Sequence, residues 1–282
     1  MEKTTSEQLL GSTAYWTAAV RARENEREDA LFHDPWAAAL AGDVGMTWIA
    51  PRPAESVAPI AIRTRYFDDC LQRITQDEGI RQVVLLAAGL DTRAFRLSWP
   101  EATIVFELDQ PAVLAYKEEI LQAAQAKPGC ARRVVGADLR EPWAEALVKS
   151  GFDPLRPSAW LLEGFLFYLD NAFTTPLLDT VSSLAAPGSW LGFDVINSLT
   201  LTSPLTSKWV EMQAQSGAPW VGTMDDPTAF LAQRGWQAGL TQGGAADAHY
   251  GRWPLPVIPV TMPNIPHNWF VTARYNPDHN FG

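Results

Sequence analysis

The alternation of apolar and polar positions divides the chain into three textures. Over residues 5 to 27, Leu9, Thr13, Trp16 and Val20 recur at helical spacing, and the charged run RARENERED follows them. The LFHDP turn predicts a second, short helix with Asp34 as its cap and Pro35 at its first position. Residues 43 to 60 hold three prolines and predict a bend leading into a helix over about 57 to 77. From residue 81 the period changes. RQVVLLAAG, ATIVFELD, ARRVVGADL, SAWLLEGFLFYL and GSWLGFDVI each supply a short apolar run, and stretches of helical period such as PAVLAYKEEILQAAQA separate them. Strands that are apolar on both faces and alternate with helices predict an α/β fold whose parallel sheet is covered on both sides.

After residue 197 the chain becomes rich in Ser, Thr, Pro and Trp, which predicts an insertion over residues 198–235 acting as a lid on the sheet. NWFVTARY reads as a last, antiparallel strand, reached through a hairpin from GWQAGLTQG. The expected organisation is one domain over residues 1–282, with residues 1–77 as a helical cap.

Composition narrows the function classes. A hydrophobic share of 47% with 19% charged residues in 282 fits a globular protein. The net charge of −10 repels a phosphate backbone, so no nucleic-acid partner is expected. Cys70 and Cys130 form neither a disulfide scaffold nor a zinc knuckle, and no metal is expected. Without a signal peptide or an apolar run long enough for a membrane span, the expectation is a cytoplasmic protein that does not engage membranes.

In a parallel sheet, ligands bind beyond the carboxyl ends of the strands, where Gly89, Asp109, Asp138 and Glu163 fall. Gly89 lets the backbone approach a ligand, and a helix starting just after it would aim free N–H groups there. The alternative is an ordinary strand-to-helix turn. Ala87 and Ala88 depart from G-x-G-x-x-G, which argues against a dinucleotide phosphate and an NAD-dependent oxidoreductase. Asp109, twenty residues after Gly89, suits the two hydroxyls of a ribose, with Glu107 on the same face as its rival. Asp138 and Leu139 offer an acceptor beside an apolar wall, suited to the amine and face of an adenine. Arg63 and Arg65 do not share a helix face, so at most one points inward. His33, Tyr168, His249, Tyr250 and His267 are the side chains that could act as a base, each with packing or surface placement as its alternative, and the catalytic residue is left unassigned.

TAYWTAAVRARE, LFHDPWAAALAG, AIRTRYFDDCL, VVLLAAGLDTRAFRL, VFELDQP, GADL and EGFLFYL follow one another in an order that resembles the leucine carboxyl methyltransferase family, in particular its bacterial branch of S-adenosylmethionine-dependent O-methyltransferases. The likeness runs from about residue 8 to residue 275. It implies a class I methyltransferase-like Rossmann sheet, mostly parallel with an antiparallel last strand, and S-adenosyl-L-methionine as cofactor. Carried onto matching positions, it implies Arg63 at the cofactor's methionine carboxylate and Ala87 and Gly89 against its backbone. It further implies Asp109 on the ribose, Asp138 and Leu139 around the adenine, and Glu163 near the methionyl amine. Where many relatives read Gly-Ala-Gly, this chain reads Ala87-Ala88-Gly89, which is tolerable if Ala87 keeps ordinary dihedrals.

The expected activity is O-methylation giving a methyl ester on a carboxylate of a small-molecule or peptide natural product. A phenolic or alcoholic hydroxyl acceptor is the alternative, and a non-catalytic binding module on the same scaffold is the rival from another class. Trp209, Trp220 and Trp236 are expected to wall an apolar acceptor. Oligomeric state is not assigned.

Overall fold

The computed structural model describes residues 6–260 and 262–277, with side chains from Thr13 onward, so Leu9 lies outside the described side chains. The chain opens with helices α1 (Ser6–Glu24), α2 (Ala37–Ile49) and α3 (Ala54–Gln76). Then follow β1 (Gln82–Leu86), the single turn α4 (Arg93–Arg96), β2 (Ile104–Asp109), α5 (Pro111–Ala123), β3 (Ala131–Gly136), α6 (Ala144–Lys149) and β4 (Ser158–Leu162). The second half contains α7 (Asn171–Leu184), β5 (Trp190–Ile196), α8 (Ser198–Thr202), α9 (Ser207–Gln215), α10 (Pro227–Ala232), β6 (Trp236–Gln242) and β7 (Asn268–Tyr275).

Among the described residues, seven strands form one sheet in the order β3-β2-β1-β4-β5-β7-β6. β1 to β5 pair in parallel, whereas β7 runs antiparallel to both β5 and β6. The chain leaves β1 towards β2 on one side and returns to β4 on the other, which opens a crevice at the carboxyl ends of β1 and β4. The period-2 pattern divides the strands between two cores. Val84, Leu86, Phe106, Leu108 and Trp160 face one layer, and Val83, Leu85, Val105, Ala159 and Leu161 face the other. Leu231 of α10 is buried in the first of these cores, as is Trp236, so neither faces a ligand cleft.

A third apolar cluster joins the leading helices through Ala18, Val20, Leu40, Ile49, Val57 and Leu90. Here the capping expectation fails. The second helix starts at Ala37, two residues beyond Pro35, and no side chain caps it. The buried Asp34 carboxylate instead accepts from Arg21 Nε at 2.8 Å and Thr92 Oγ1 at 2.6 Å. Arg21 Nη2 also donates to Leu90 O at 2.6 Å. These tertiary bonds take Oδ2, while Oδ1 keeps only a local bond from Trp36 N at 3.3 Å, short of a cap on α2. The bend predicted from residue 43 is likewise mostly helix, with the non-helical backbone of Gly42 kinking α2 and Pro59 accommodated inside α3. Among the described residues, no helix is long and apolar enough to cross a membrane.

Candidate active site

The carboxyl ends of β1, β2, β3 and β4 border a cavity of about 680 Å³. Arg63, Ala87, Gly89, Asp109, Asp138, Leu139 and Glu163 all line it. The structure thus places the residues that the resemblance implies for the cofactor around one space.

The first loop departs from ordinary geometry. Ala87 has φ +52°, in the left-handed region where a Cβ is strained, so the condition that it keep ordinary dihedrals is not met. Ala88 N donates to Leu108 O at 2.9 Å, and Gly89 N donates to Asp109 Oδ2 at 2.6 Å, which clamps the turn onto β2. The helix expected after Gly89 is the four-residue turn α4, and its Arg93 N–H is already used by Asp91 Oδ1 at 2.6 Å. Side-chain charge, rather than a row of free N–H groups, builds this end of the cavity.

Asp109 and Glu107 separate clearly. Asp109 faces the cavity, accepts from Gly89 N and from Gln110 N at 2.6 Å, and keeps a second lone pair on each oxygen. Burial raises its pKa above the ordinary carboxylate value. Glu107 is fully buried and takes Lys117 Nζ and Arg132 Nη2, both at 2.6 Å. It is a structural charge, not a ligand contact. Asp138 is partly exposed and chelated by Arg140, with Nε to Oδ1 at 2.9 Å and Nη2 to Oδ2 at 2.5 Å, so a ligand amine there shares its acceptor with a guanidinium.

A buried ion lattice that the sequence reading missed supports β1 and β4. Arg63 donates to Glu163 Oε1 at 3.1 Å and Asp194 Oδ2 at 2.8 Å. Arg93 donates to Glu163 Oε2 at 2.6 Å and Asp68 Oδ1 at 2.6 Å, and it pairs with Asp91. Burial works against the Arg63 charge, but Asp194 and Glu163 outweigh it and raise its pKa. Burial alone would likewise raise the Glu163 pKa, yet Arg93 and Arg63 hold it below the ordinary value. Arg63 Nη2 faces Gly164, where an added Cβ would approach it to 2.8 Å. The glycine therefore lets the guanidinium lie against the backbone of this turn. Two signals in the sequence mark this lattice: the abrupt charge of LDTRAFRL after an apolar strand, and the Asp in WLGFDVI, a strand buried at every position. Arg65 points away to Asp69 at 2.8 Å, as helix geometry requires when Arg63 points inward.

The remainder of the cavity is more aromatic. Trp209 and Trp220 line it, 5.7 Å apart and edge to face, and Phe167 lies 5.1 Å from Trp220. Trp236, expected to share this wall, is core and donates to Ser182 Oγ at 2.9 Å. Among the candidate bases, Tyr168 lines the cavity, and burial pushes its pKa up to about 12. His33 is exposed, His249 is exposed and accepts from Gly251 N at 3.0 Å, Tyr250 donates to Asp69 Oδ2 at 2.9 Å, and His267 stacks on Trp269 at 4.4 Å. None of these four lines the cavity. Among the described residues, no group of three or more His, Cys, Asp or Glu is arranged to hold a metal ion.

A family model described as "Leucine carboxyl methyltransferase" matches residues 14–182. A Streptomyces coelicolor protein provisionally named an S-adenosyl-L-methionine-dependent methyltransferase is 40% identical over 88% of each chain. A Parafrankia relative, named in the same way, is also 40% identical, over 94% of this chain and 87% of its own. Among solved structures, a DUF574 family protein from Streptomyces avermitilis aligns with a TM-score of 0.60 at 15% identity, covering 94% of this chain and 99% of that one. A Thermobifida fusca structure described as a methyltransferase aligns at 0.59 with 19% identity, covering 93% and 94%. At these identities the two structures establish a shared fold.

Proposed function

Because this chain belongs to the leucine carboxyl methyltransferase family, and so is an S-adenosylmethionine-dependent methyltransferase, we propose that it forms a methyl ester on a carboxylate of a small-molecule or peptide natural product. S-adenosylmethionine supplies a methyl group on a sulfonium, a strong electrophile that needs no metal to activate it. The donor set fits such a ligand: a partly buried acid with spare lone pairs at Asp109, an acid at Glu163, an arginine whose carboxylate bonds use Nε and Nη1 and not Nη2, and no glycine-rich phosphate loop. In this reading Asp109 takes the ribose hydroxyls, and Ala87 and Gly89 pass beneath the cofactor. Arg63 takes its carboxylate, Glu163 its ammonium, and Asp138 with Leu139 its adenine. The leading helices, with the segment from α8 through residue 221, act as the covering elements that exclude water from the transfer.

One observation carries the choice of acceptor: among the described residues, no histidine lines the cavity, and its Tyr168 hydroxyl is held at about 12. Asp91 and Glu163 are committed to arginines, so neither stands free as a proton acceptor, and Asp170 is an exposed carboxylate that caps α7 through Oδ1. A carboxylate is already ionised at neutral pH and attacks a methyl group without losing a proton, whereas a hydroxyl gains from a base. The aromatic wall of Phe167, Trp209 and Trp220 favours a second reading, O-methylation of a phenol. Incubation with methyl-labelled cofactor and a cell extract, followed by identification of the labelled product, tests both. Transfer to nitrogen or carbon would overturn both.

A further inference from the structure

Among the described residues, six arginines line the cavity, and their partners are unequal. Arg21 pairs with Asp34, Arg63 with Glu163 and Asp194, Arg93 with Asp68, Asp91 and Glu163, Arg96 with Asp68, and Arg140 with Asp138. Arg52 has no carboxylate partner among the described residues. It sits in the short turn between α2 and α3, and the fold fixes it firmly there. Arg23 of α1 donates to the carbonyls of both Ile49 and Arg52, the latter at 2.5 Å and the former at 2.6 Å. The Arg52 guanidinium lies 3.9 Å from the centre of the Trp48 ring, and Trp48 stacks on Trp16 at 5.1 Å with the planes 7° apart. Trp16, Trp48 and Arg52 therefore form a three-layer stack in the cavity wall.

A helix-capping role explains part of this arrangement, because Arg52 Nη1 donates to Trp48 O near the end of α2. It does not explain the rest. Nε is shut off from solvent without an acceptor. Nη1 has its bond to Trp48 O, and Nη2 has no acceptor among the described residues. Burial lowers the Arg52 pKa with no acidic group to reverse it, the opposite of Arg63. A partly desolvated guanidinium with no counter-ion is unfavourable, and in a ligand cavity the group that relieves it is an anion on the ligand.

We propose that Arg52 recognises the acceptor's carboxylate, with the Trp16–Trp48 stack holding the guanidinium at the cavity wall, so that this enzyme selects acids over isosteric neutral molecules. The proposal rests on the reading of the cavity as a methyltransferase site and names the residue that sets acceptor charge. Arg52 acts on binding and orientation; it exchanges no proton and bonds to no reacting carbon.

The test uses 2-naphthoate and decanoate, with 2-naphthamide, decanamide and 2-naphthol as neutral counterparts, titrated calorimetrically into protein saturated with S-adenosylhomocysteine. A charge-assisted pair of this kind is worth roughly tenfold or more in affinity. The wild type is expected to bind at least one acid that much more tightly than its amide. Arg52→Gln erases the preference, Arg52→Lys restores part of it, and S-adenosylhomocysteine affinity stays within about twofold in both variants. Equal binding of acid and amide by the wild type, an acid preference surviving in Arg52→Gln, tighter binding of 2-naphthol, or uptake of none of the probes would each overturn the assignment of Arg52. Failure of the wild type to bind S-adenosylhomocysteine is a separate result, and it overturns the site reading beneath the proposal.

Discussion

Asp109 and Glu107 lie two residues apart on one strand, yet opposite outcomes are expected when each is altered. Asp109→Ala removes the proposed ribose acceptor, and a hydrogen bond to a charged group is worth about 1.5–3 kcal/mol, so S-adenosylmethionine affinity falls roughly tenfold or more in calorimetry. Glu107→Gln leaves the fully buried Lys117 without its counter-charge and Arg132 with Glu118 alone. Breaking a buried pair in this way costs about 3–5 kcal/mol of stability, read as a lower urea midpoint. If Glu107→Gln weakened the cofactor and Asp109→Ala did not, the two carboxylates would have been assigned the wrong way round. Ala87 offers a gentler test. An L-residue in the left-handed region costs about 1–2 kcal/mol. Ala87→Gly relieves that strain but gives back about 0.4–1 kcal/mol through the greater freedom of glycine in the unfolded chain. A small rise in urea midpoint is expected, and a fall would show that Ala87 is not strained. The family resemblance implied that Ala87 stands where many relatives carry glycine, but the sequence could not reveal the sign of φ, which the Ala88–Leu108 and Gly89–Asp109 bonds impose from β2.

At the scale of elements, the strands were legible because both faces of a covered parallel sheet are apolar, and each run ends where its acid or glycine meets the crevice. The helices before β1 were less so. Asp34 has the chemistry of a cap, and only the arrival of Arg21 and Thr92 from distant positions diverts it. The Arg63–Glu163–Arg93 lattice was marked only by the charge of LDTRAFRL and the Asp in WLGFDVI, and its pairings were not legible because its members lie 70 to 131 residues from several of their partners. One irregular element controls the aromatic side of the cavity. After α9, Val221 N and Gly222 N both donate to Phe167 O, at 2.8 and 3.0 Å, which seats the Trp220 segment on the turn Leu166–Tyr168. A Cβ on Gly222 would fall 2.1 Å from Leu169 O and 2.2 Å from Leu166 O. These are rigid backbone atoms, so Gly222→Ala must lift the segment. Because every proposed cofactor contact lies elsewhere, the expected result is S-adenosylhomocysteine affinity within about threefold of wild type, with acceptor KM raised tenfold or more. Unchanged acceptor kinetics would remove this segment from the acceptor site.

Across the whole molecule the cavity has two origins. The sheet's carboxyl edge supplies one side, acidic and tied down by buried arginines, and the leading helices, the segment after β4 and the chain after β5 supply the other, aromatic and carrying Arg52. The first side was readable because strand ends recur in fixed order along the sequence, while the second is assembled from residues 13–60, 165–173 and 209–221, whose proximity no local pattern records. That division sets the last prediction, the chemistry of the product. A carboxylate acceptor with a pKa near about 4 is ionised throughout neutral pH, so kcat/KM should be flat between about pH 6 and 9. A phenol acceptor with a pKa near about 10 would instead give a rate rising with pH, since Tyr168, held at about 12, is not ionised in that window and supplies no base. The labelled product distinguishes the two without kinetics. Mild alkali releases methanol from an ester and leaves an aryl methyl ether intact. Alkali-labile label together with a flat profile is the expected result; alkali-stable label with a rising profile would transfer the assignment to the hydroxyl and leave the methyltransferase assignment standing.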